Sequence, residues 1–439
     1  MRVLYVGNFE PAHSTENDVR QAFEHLGWEV DRLQEREFTR AFAAGAFGPV
    51  YDRALSADLV LHTMTQGSYP DPERVLDLWR ACERAGVPTA SIHLDLFYGL
   101  ASPKDQGPQR SELPREHPMF RVAHVFTADG GHQDEFARDG VNHHWLPPGV
   151  KHGEAIDIGP IRWAGDPPDP SDERYPSLPV DVLANLADGQ YLVGFAGSDG
   201  YHPEWPHRPQ LVAWLRATYG DRFIHIGGSA TPRVTGLALN RVLASVPVWV
   251  GDSCLTAPDV PYWSDRVPET WGRGGFLIHP RVESMCAQYG EVLPGYDWQA
   301  GDWATLRTTI DFYVEHADRR EEIRQRLAMA TRDHETYVSR VAEMLAVIGL
   351  PCTPCGCHET TFAEVVDEAP GPLAAVEFES VRILRLEPGD RLVITAPAGL
   401  RPAERNDIRE RVRAAYPDHD VLVLTGLELS VLREEHSRA

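Results

Sequence analysis

Short apolar runs alternate with helical stretches along this chain, and the alternation occurs twice. The first series opens on MRVLYV, passes through a loop at residues 7–14, and enters the helical NDVRQAFEHLG, which ends at Gly27. An extended stretch at residues 28–33 follows. Then come DLVLHTM, the helix DPERVLDLWRACERAG, the strands PTASIHLD and HVFTAD, and a short helix, DEFARDG. Ser14 stands where a helix N-cap is expected. Strands separated by helices pair in parallel, because the crossover helix returns the chain to the starting edge of the sheet. Residues 1–152 therefore read as an α/β, doubly wound, Rossmann-like domain.

The Pro-, Gly- and Asp-rich WAGDPPDPSDERYPSLP makes residues 153–188 a linker. The pattern then restarts with YLVGFAG, the helix RPQLVAWLRATYG, the strands RFIHIGG and VPVWVGD, a short helix at 268–273, and the strand FLIHP. Two long amphipathic stretches, 303–315 and 319–347, complete a second Rossmann-like unit over residues 189–350. After a second break at 351–372, residues 373–439 read as a small β-β-α-β module: VRILRL, LVITAP, the helix RPAERNDIRERVRAAY, and VLVLTG. No internal repeat occurs at solenoid periods.

Of the 439 residues, 42% are hydrophobic and 24% charged, so each domain can bury a core. No apolar run is long enough to span a bilayer. MRVLYVGNFE lacks the regions of a signal peptide and reads as a first buried strand. Three of the six cysteines crowd into residues 352–357, while Cys82, Cys254 and Cys286 are scattered. That is no disulfide framework, and the expected setting is reducing and cytoplasmic. The net charge of −23 disfavours long-range attraction to nucleic acid or anionic membranes, while leaving room for a local basic cleft.

Open α/β sheets bind ligands at the carboxyl ends of their strands, so two in tandem are expected to face each other across a cleft. In FAGSDGYHPEWPHR, Gly194, Gly197 and Gly200 follow a strand and precede a helix. This exposes backbone N–H groups to a phosphate, with Arg208 near the helix start. The same glycines equally serve an ordinary tight turn. Gly227 and Gly228 end a strand, where backbone can approach a planar base or simply turn. Arg266 and Glu269 stand three apart, just before Gly274 and Gly275. A carboxylate there can accept bonds from vicinal ribose hydroxyls; otherwise Glu269 is a favourable charge at a helix start and Arg266 its surface partner. Cys352, Cys355, Cys357 and His358 are too compact to close a tetrahedral metal site alone and read as linker, so no metal site is expected.

In order, these motifs resemble the CgeB-type spore-maturation and phage-encoded members of the group-1 glycosyltransferases. The resemblance runs over about residues 1–350. FAGS with Arg208, then IGG, RVPETWGRGGFLIHP and HETYVSR (334–340) follow the family's motif order. HSTENDVRQAFEHLGWEV and FTADGGHQDEFARDGVNHHWLPPGV resemble the first domain of phage members. The resemblance implies the GT-B fold, with a nucleoside-diphosphate sugar, a UDP-sugar first, as co-substrate and no permanently bound cofactor. Glu269 would bind the ribose. Gly197, Ser198, Arg208 and Arg266 would line the diphosphate, Gly227 and Gly228 would lie near the base, and Gly274 and Gly275 would admit the donor closely. Such enzymes usually need no catalytic metal.

Many retaining relatives carry a second glutamate eight residues before the ribose-binding one. Here that position is Pro261, with Asp265 and Asp259 as nearby substitutes. The first domain would receive the acceptor, and His13 and Asp95 are its candidate bases. His13 otherwise serves a loop hydrogen bond and Asp95 a helix cap. The expected activity is sugar transfer to a hydroxyl on a virion protein or a hydroxymethylated DNA base. The alternatives are a nucleotide-sugar epimerase of the same fold and a catalytically inactive GT-B protein with a structural role. The C-terminal module is a candidate for oligomerisation or acceptor docking.

Overall fold

The computed structural model describes residues 1–63, 69, 71–98, 110–156, 159–161, 177–200, 207–229, 231–253, 260–289, 293–297, 303–352, 391–396, 420–425 and 430–432. The chain divides into two compact units, residues 1–359 and 360–439.

The larger unit holds two parallel sheets. The first half runs β1 (Arg2–Gly7), α1 (Thr15–His25), β2 (Glu29–Gln34), α2 (Glu35–Ala43), α3 (Gly48–Leu55), β3 (Leu59–His62), α4 (Pro72–Arg84), β4 (Thr89–His93), α5 (Leu113–Glu116), β5 (His124–Thr127), α6 (Gln133–Arg138) and β6 (His143–Trp145). The strand order is β2-β1-β3-β4-β5-β6. Along β1 the side chains alternate between the two faces. Leu4 and Val6 enter one core with Phe38, Val60 and Leu78, while Val3 and Tyr5 enter the other with Phe23, Leu59 and Ile92. A strand buried on both faces reads as a continuous apolar run, which is why MRVLYV was legible as one. Ser14 caps α1, accepting from the Asn17 N–H at 3.2 Å.

The second half runs α7 (Val180–Ala187), β7 (Val193–Ala196), α8 (His207–Tyr219), β8 (Phe223–Ile226), α9 (Gly236–Ser245), β9 (Val248–Val250), α10 (Arg266–Gly272), β10 (Leu277–Pro280), α11 (Glu283–Tyr289), β11 (Gly295–Tyr296), α12 (Trp303–Glu315), α13 (Ala317–His334) and α14 (Tyr337–Ile348). Its strand order is β8-β7-β9-β10-β11. Helix α7 falls inside the stretch read as linker and buries Leu183 and Leu186 in the second core. The single amphipathic stretch expected at 319–347 is two helices. Thr336 breaks it as the N-cap of α14, accepting from the Ser339 N–H at 3.2 Å. Helix α14 then leaves the second core. Its Tyr337, Val338, Val341, Met344 and Leu345 pack into the first, beside Val19 and Phe23 of α1. Helix α14 thus ties the two halves together.

In the smaller unit, β12 (Arg391–Ala396) pairs in parallel with β13 (Asp420–Thr425) and antiparallel with β14 (Ser430–Leu432). The expected strand VRILRL and helix RPAERNDIRERVRAAY lie outside the described residues. No helix among the described residues is long and apolar enough to cross a membrane.

Candidate functional site

In both sheets the strand order reverses beside the first strand of its half, between β1 and β3 and between β7 and β9. Loops leaving the strands at such a point diverge and leave a crevice. The two crevices open onto one cleft of about 920 Å³. Its first-domain wall carries His13, Thr15, Glu16 and Asp18 after β1, Thr63 after β3, and Asp95 and Phe97 after β4. Its second-domain wall carries Gly197 and Ser198 after β7, Gly227 after β8, Asp252 and Ser253 after β9, and Arg266, Glu269 and Arg273 from α10 and its C-terminus.

The second-domain wall is organised around Asp252, which is buried at 1% exposure. Its Oδ2 accepts from Arg208 Nε at 2.8 Å and its Oδ1 from Arg266 Nη1 at 2.8 Å. Burial alone would raise this carboxyl, but the Arg266 and Arg208 guanidinium groups outweigh it and hold the group below the ordinary aspartate value. Arg266 Nε also donates to the Ala196 carbonyl at 2.6 Å, and Arg208 Nη1 to Ser198 Oγ at 3.1 Å. Gly197, with φ +151°, turns the chain beneath them. A Cβ there would stand 3.0 Å from Arg266 Nη2. The sequence motif thus assembles as one patch, with Asp252 added.

A second charged group lies further along α10. Arg273, 4% exposed, donates to Glu269 Oε2 at 2.5 Å, Glu154 Oε2 at 2.6 Å, Asn240 Oδ1 at 3.0 Å and the Gly236 carbonyl at 3.0 Å. The Glu269 side chain keeps 24% of its surface exposed. Burial raises its carboxyl and Arg273 opposes the rise. Lys151 pairs with Glu154 at 3.0 Å. On the facing wall, burial pushes the Asp18 carboxyl up to about 7, and the charge of Glu269 adds to the rise.

The remaining predicted residues divide. His13 Nε2 shares a hydrogen bond with Thr235 Oγ1 of the second half at 2.9 Å. Asp95 lines the cleft about half exposed, 3.5 Å from Arg110. Gly228 is absent from the cleft wall and lies against His225 and Asp199, where a Cβ would stand 2.6 Å from the His225 ring. Gly274 and Gly275 do not reach the cleft either. Gly274, with φ +85°, turns the chain out of α10, and Gly275 packs so closely on Thr270 that a Cβ would lie 2.7 Å from its Cγ2. Both glycines lie between α10 and β10.

Pro261 lies against Gly130 of the first half, and Asp265 lines the cleft. Asp259 and the Cys355, Cys357, His358 cluster lie outside the described residues. Asp252, Arg273, Glu154 and Asp18 escaped the sequence reading. For Asp252 a signal existed, because it directly follows the apolar run VPVWVG and so falls at the end of a strand.

No protein-family model matches the chain, and no curated protein does. Among solved structures, the chain is similar to HepE of Anabaena in complex with UDP and glucose. The TM-score is 0.50 at 12% identity, over 80% of this chain and 99% of that one. Sucrose-phosphate synthase from Thermosynechococcus elongatus gives a TM-score of 0.49 at 11% identity, over 80% and 98%. An alpha-glucosyltransferase in complex with UDP gives 0.48 at 8% identity, over 80% and 100%. At such identities the likeness is one of fold, and the fold is the two-domain GT-B architecture.

Proposed function

We propose that this GT-B chain is a glycosyltransferase that takes a nucleoside-diphosphate sugar, a UDP-sugar first, and passes the sugar to a hydroxyl acceptor. The observation that carries the reading is the convergence of Arg208, Arg266 and Glu269 on one wall of the interdomain cleft. Two guanidinium groups meet on one carboxylate at a helix-flanked loop, and guanidinium groups there suit a diphosphate. Glu269 presents a carboxylate further along the same wall, as a ribose partner must. The leaving diphosphate would be balanced by the arginines and by backbone N–H groups. HepE shares the fold and was solved with UDP and glucose, which supports the choice of nucleotide.

The acceptor would enter from the first-domain wall. His13 and Asp95 stand there as candidate bases, and Asp18 joins them. A carboxyl with a pKa of about 7 is poised to take a proton near neutral pH. The resemblance to phage-encoded members points to a virion protein or a hydroxymethylated DNA base as acceptor, and the net charge of −23 favours the protein. The test is a thermal-shift screen of the full chain against UDP-, GDP-, ADP- and dTDP-sugars, followed by mass spectrometry of candidate acceptors. One donor should raise the melting temperature and label an acceptor, and silence across all four donors would sink the reading.

A further inference from the structure

Arg208 comes from α8 and Arg266 from α10, so the two arginines reach the β7–β9 crevice from separate helices. Left alone, two guanidinium groups this near would repel and part. Asp252 prevents that by giving one oxygen to each at 2.8 Å. The Phe195 ring lies beneath both, with guanidinium carbons 5.9 and 5.3 Å from its centroid. The next residue, Ser253, is 2% exposed and lines the cleft, and its Oγ has no hydrogen-bond partner among the described residues. A buried hydroxyl left unpaired costs free energy that an incoming acceptor atom recovers.

We propose that Asp252 is the positioning residue of a pyrophosphate cradle. It locks Arg208 and Arg266 side by side so that they serve two adjacent phosphoryl groups, and Ser253 Oγ donates a third bond. This rests on the nucleotide-sugar reading for the identity of the ligand, but not for the existence of an anion site. Asp252→Asn replaces one acceptor oxygen by an N–H donor facing a guanidinium group, so one arginine loses its bond to residue 252 while the local positive charge rises. A purely electrostatic role for Asp252 would then strengthen anion binding, whereas a positioning role weakens it.

The experiment is calorimetric titration of inorganic pyrophosphate, and of the uridine, guanosine, adenosine and thymidine mono- and diphosphates, into the full native chain and Asp252→Asn. The native chain should prefer one nucleoside diphosphate over its monophosphate by about tenfold or more, the worth of one charge-assisted hydrogen bond. In the variant that preference and pyrophosphate binding should be lost while monophosphate affinity holds, which also shows that the site still folds. Diphosphate and pyrophosphate binding that is unchanged or tighter in Asp252→Asn overturns the proposal. If Asp252→Asn does not fold, Asp252→Glu, which keeps the charge but shifts the carboxylate by one methylene, must show the same loss. Pyrophosphate binding without any nucleotide binding would support the cradle and overturn the nucleotide-sugar reading. No binding of either would overturn both.

Discussion

Arg273 donates from Nε to Glu269 Oε2 across 2.5 Å, one helical turn along, and the same guanidinium reaches Glu154 Oε2 at 2.6 Å. One buried cation therefore orients the carboxylate assigned to the ribose and fastens α10 to the segment that leaves the first domain. Removing it takes the donor from the Glu269 carboxylate, from one oxygen of Glu154, from an amide oxygen and from a carbonyl. Breaking a buried pair in this way costs about 3–5 kcal/mol. Arg273→Met should lower the unfolding free energy by that order in urea. Arg307→Ala, whose partner Asp311 is exposed on α12, should cost under about 1 kcal/mol. Equal effects from the two variants would refute the bridging role of Arg273.

Glu269→Ala should weaken nucleotide-sugar binding by more than about tenfold, because the ribose hydroxyls lose their acceptor. Calorimetry on the variant checks this. Unaltered affinity would remove Glu269 from the donor site.

The Asp18 carboxyl sits at about 7 in the fold against an ordinary 3.8. Its folded value is raised, so the native state holds a proton that the unfolded chain releases. The stabilising contribution is full below the unfolded value and is lost as pH rises from about 4 to about 7. Asp18→Asn mimics the protonated form. It should raise the melting temperature by about 2 °C or more near pH 8 and by nothing near pH 4. A shift of the same size at both pH values would contradict the assignment.

Gly197→Ala meets both a positive φ of +151° and the Arg266 side chain at 3.0 Å. Displacing Arg266 should weaken donor binding by about tenfold, and the backbone strain should cost about 1–3 kcal/mol. Donor titration beside thermal unfolding separates the two. Full donor affinity in Gly197→Ala would show that the loop does not set the position of Arg266.

His13→Ala, Asp95→Asn and Asp18→Asn each change a first-domain residue of the cleft. The residue that serves as base should lose turnover while keeping its donor dissociation constant. Retained turnover in all three would place the proton acceptor elsewhere.

Much of this was legible in the sequence because parallel strands buried on both faces announce themselves as apolar runs. β1, β4, β7 and β9 all fall inside stretches read that way. Helices α2, α3, α7 and α9 were missed. None of the four has a cap hydrogen bond from the preceding side chain: α2 follows Gln34, α3 Phe47, α7 Pro179 and α9 Thr235. Arg208, Arg266 and Glu269 could be singled out because each stands in the first turn of a helix that follows a strand and loop. Asp18, Glu154 and Arg273 were not, because their roles arise from contacts across the fold, and Asp252 offered only its place after an apolar run. Arg273 and Glu154 stand 119 residues apart, and nothing local in either segment points to the other. Gly274 and Gly275 show the complementary limit: in sequence a glycine pair reads the same whether it admits a ligand or ends a helix.

The most direct measurement is a crystal structure of the full chain with the nucleoside diphosphate it binds in titration, UDP in the first instance. The account predicts electron density for the diphosphate against Arg208 and Arg266 and for the ribose against Glu269, on the second-domain wall of the cleft. A nucleotide seated on the first-domain wall, or outside the cleft, would contradict it.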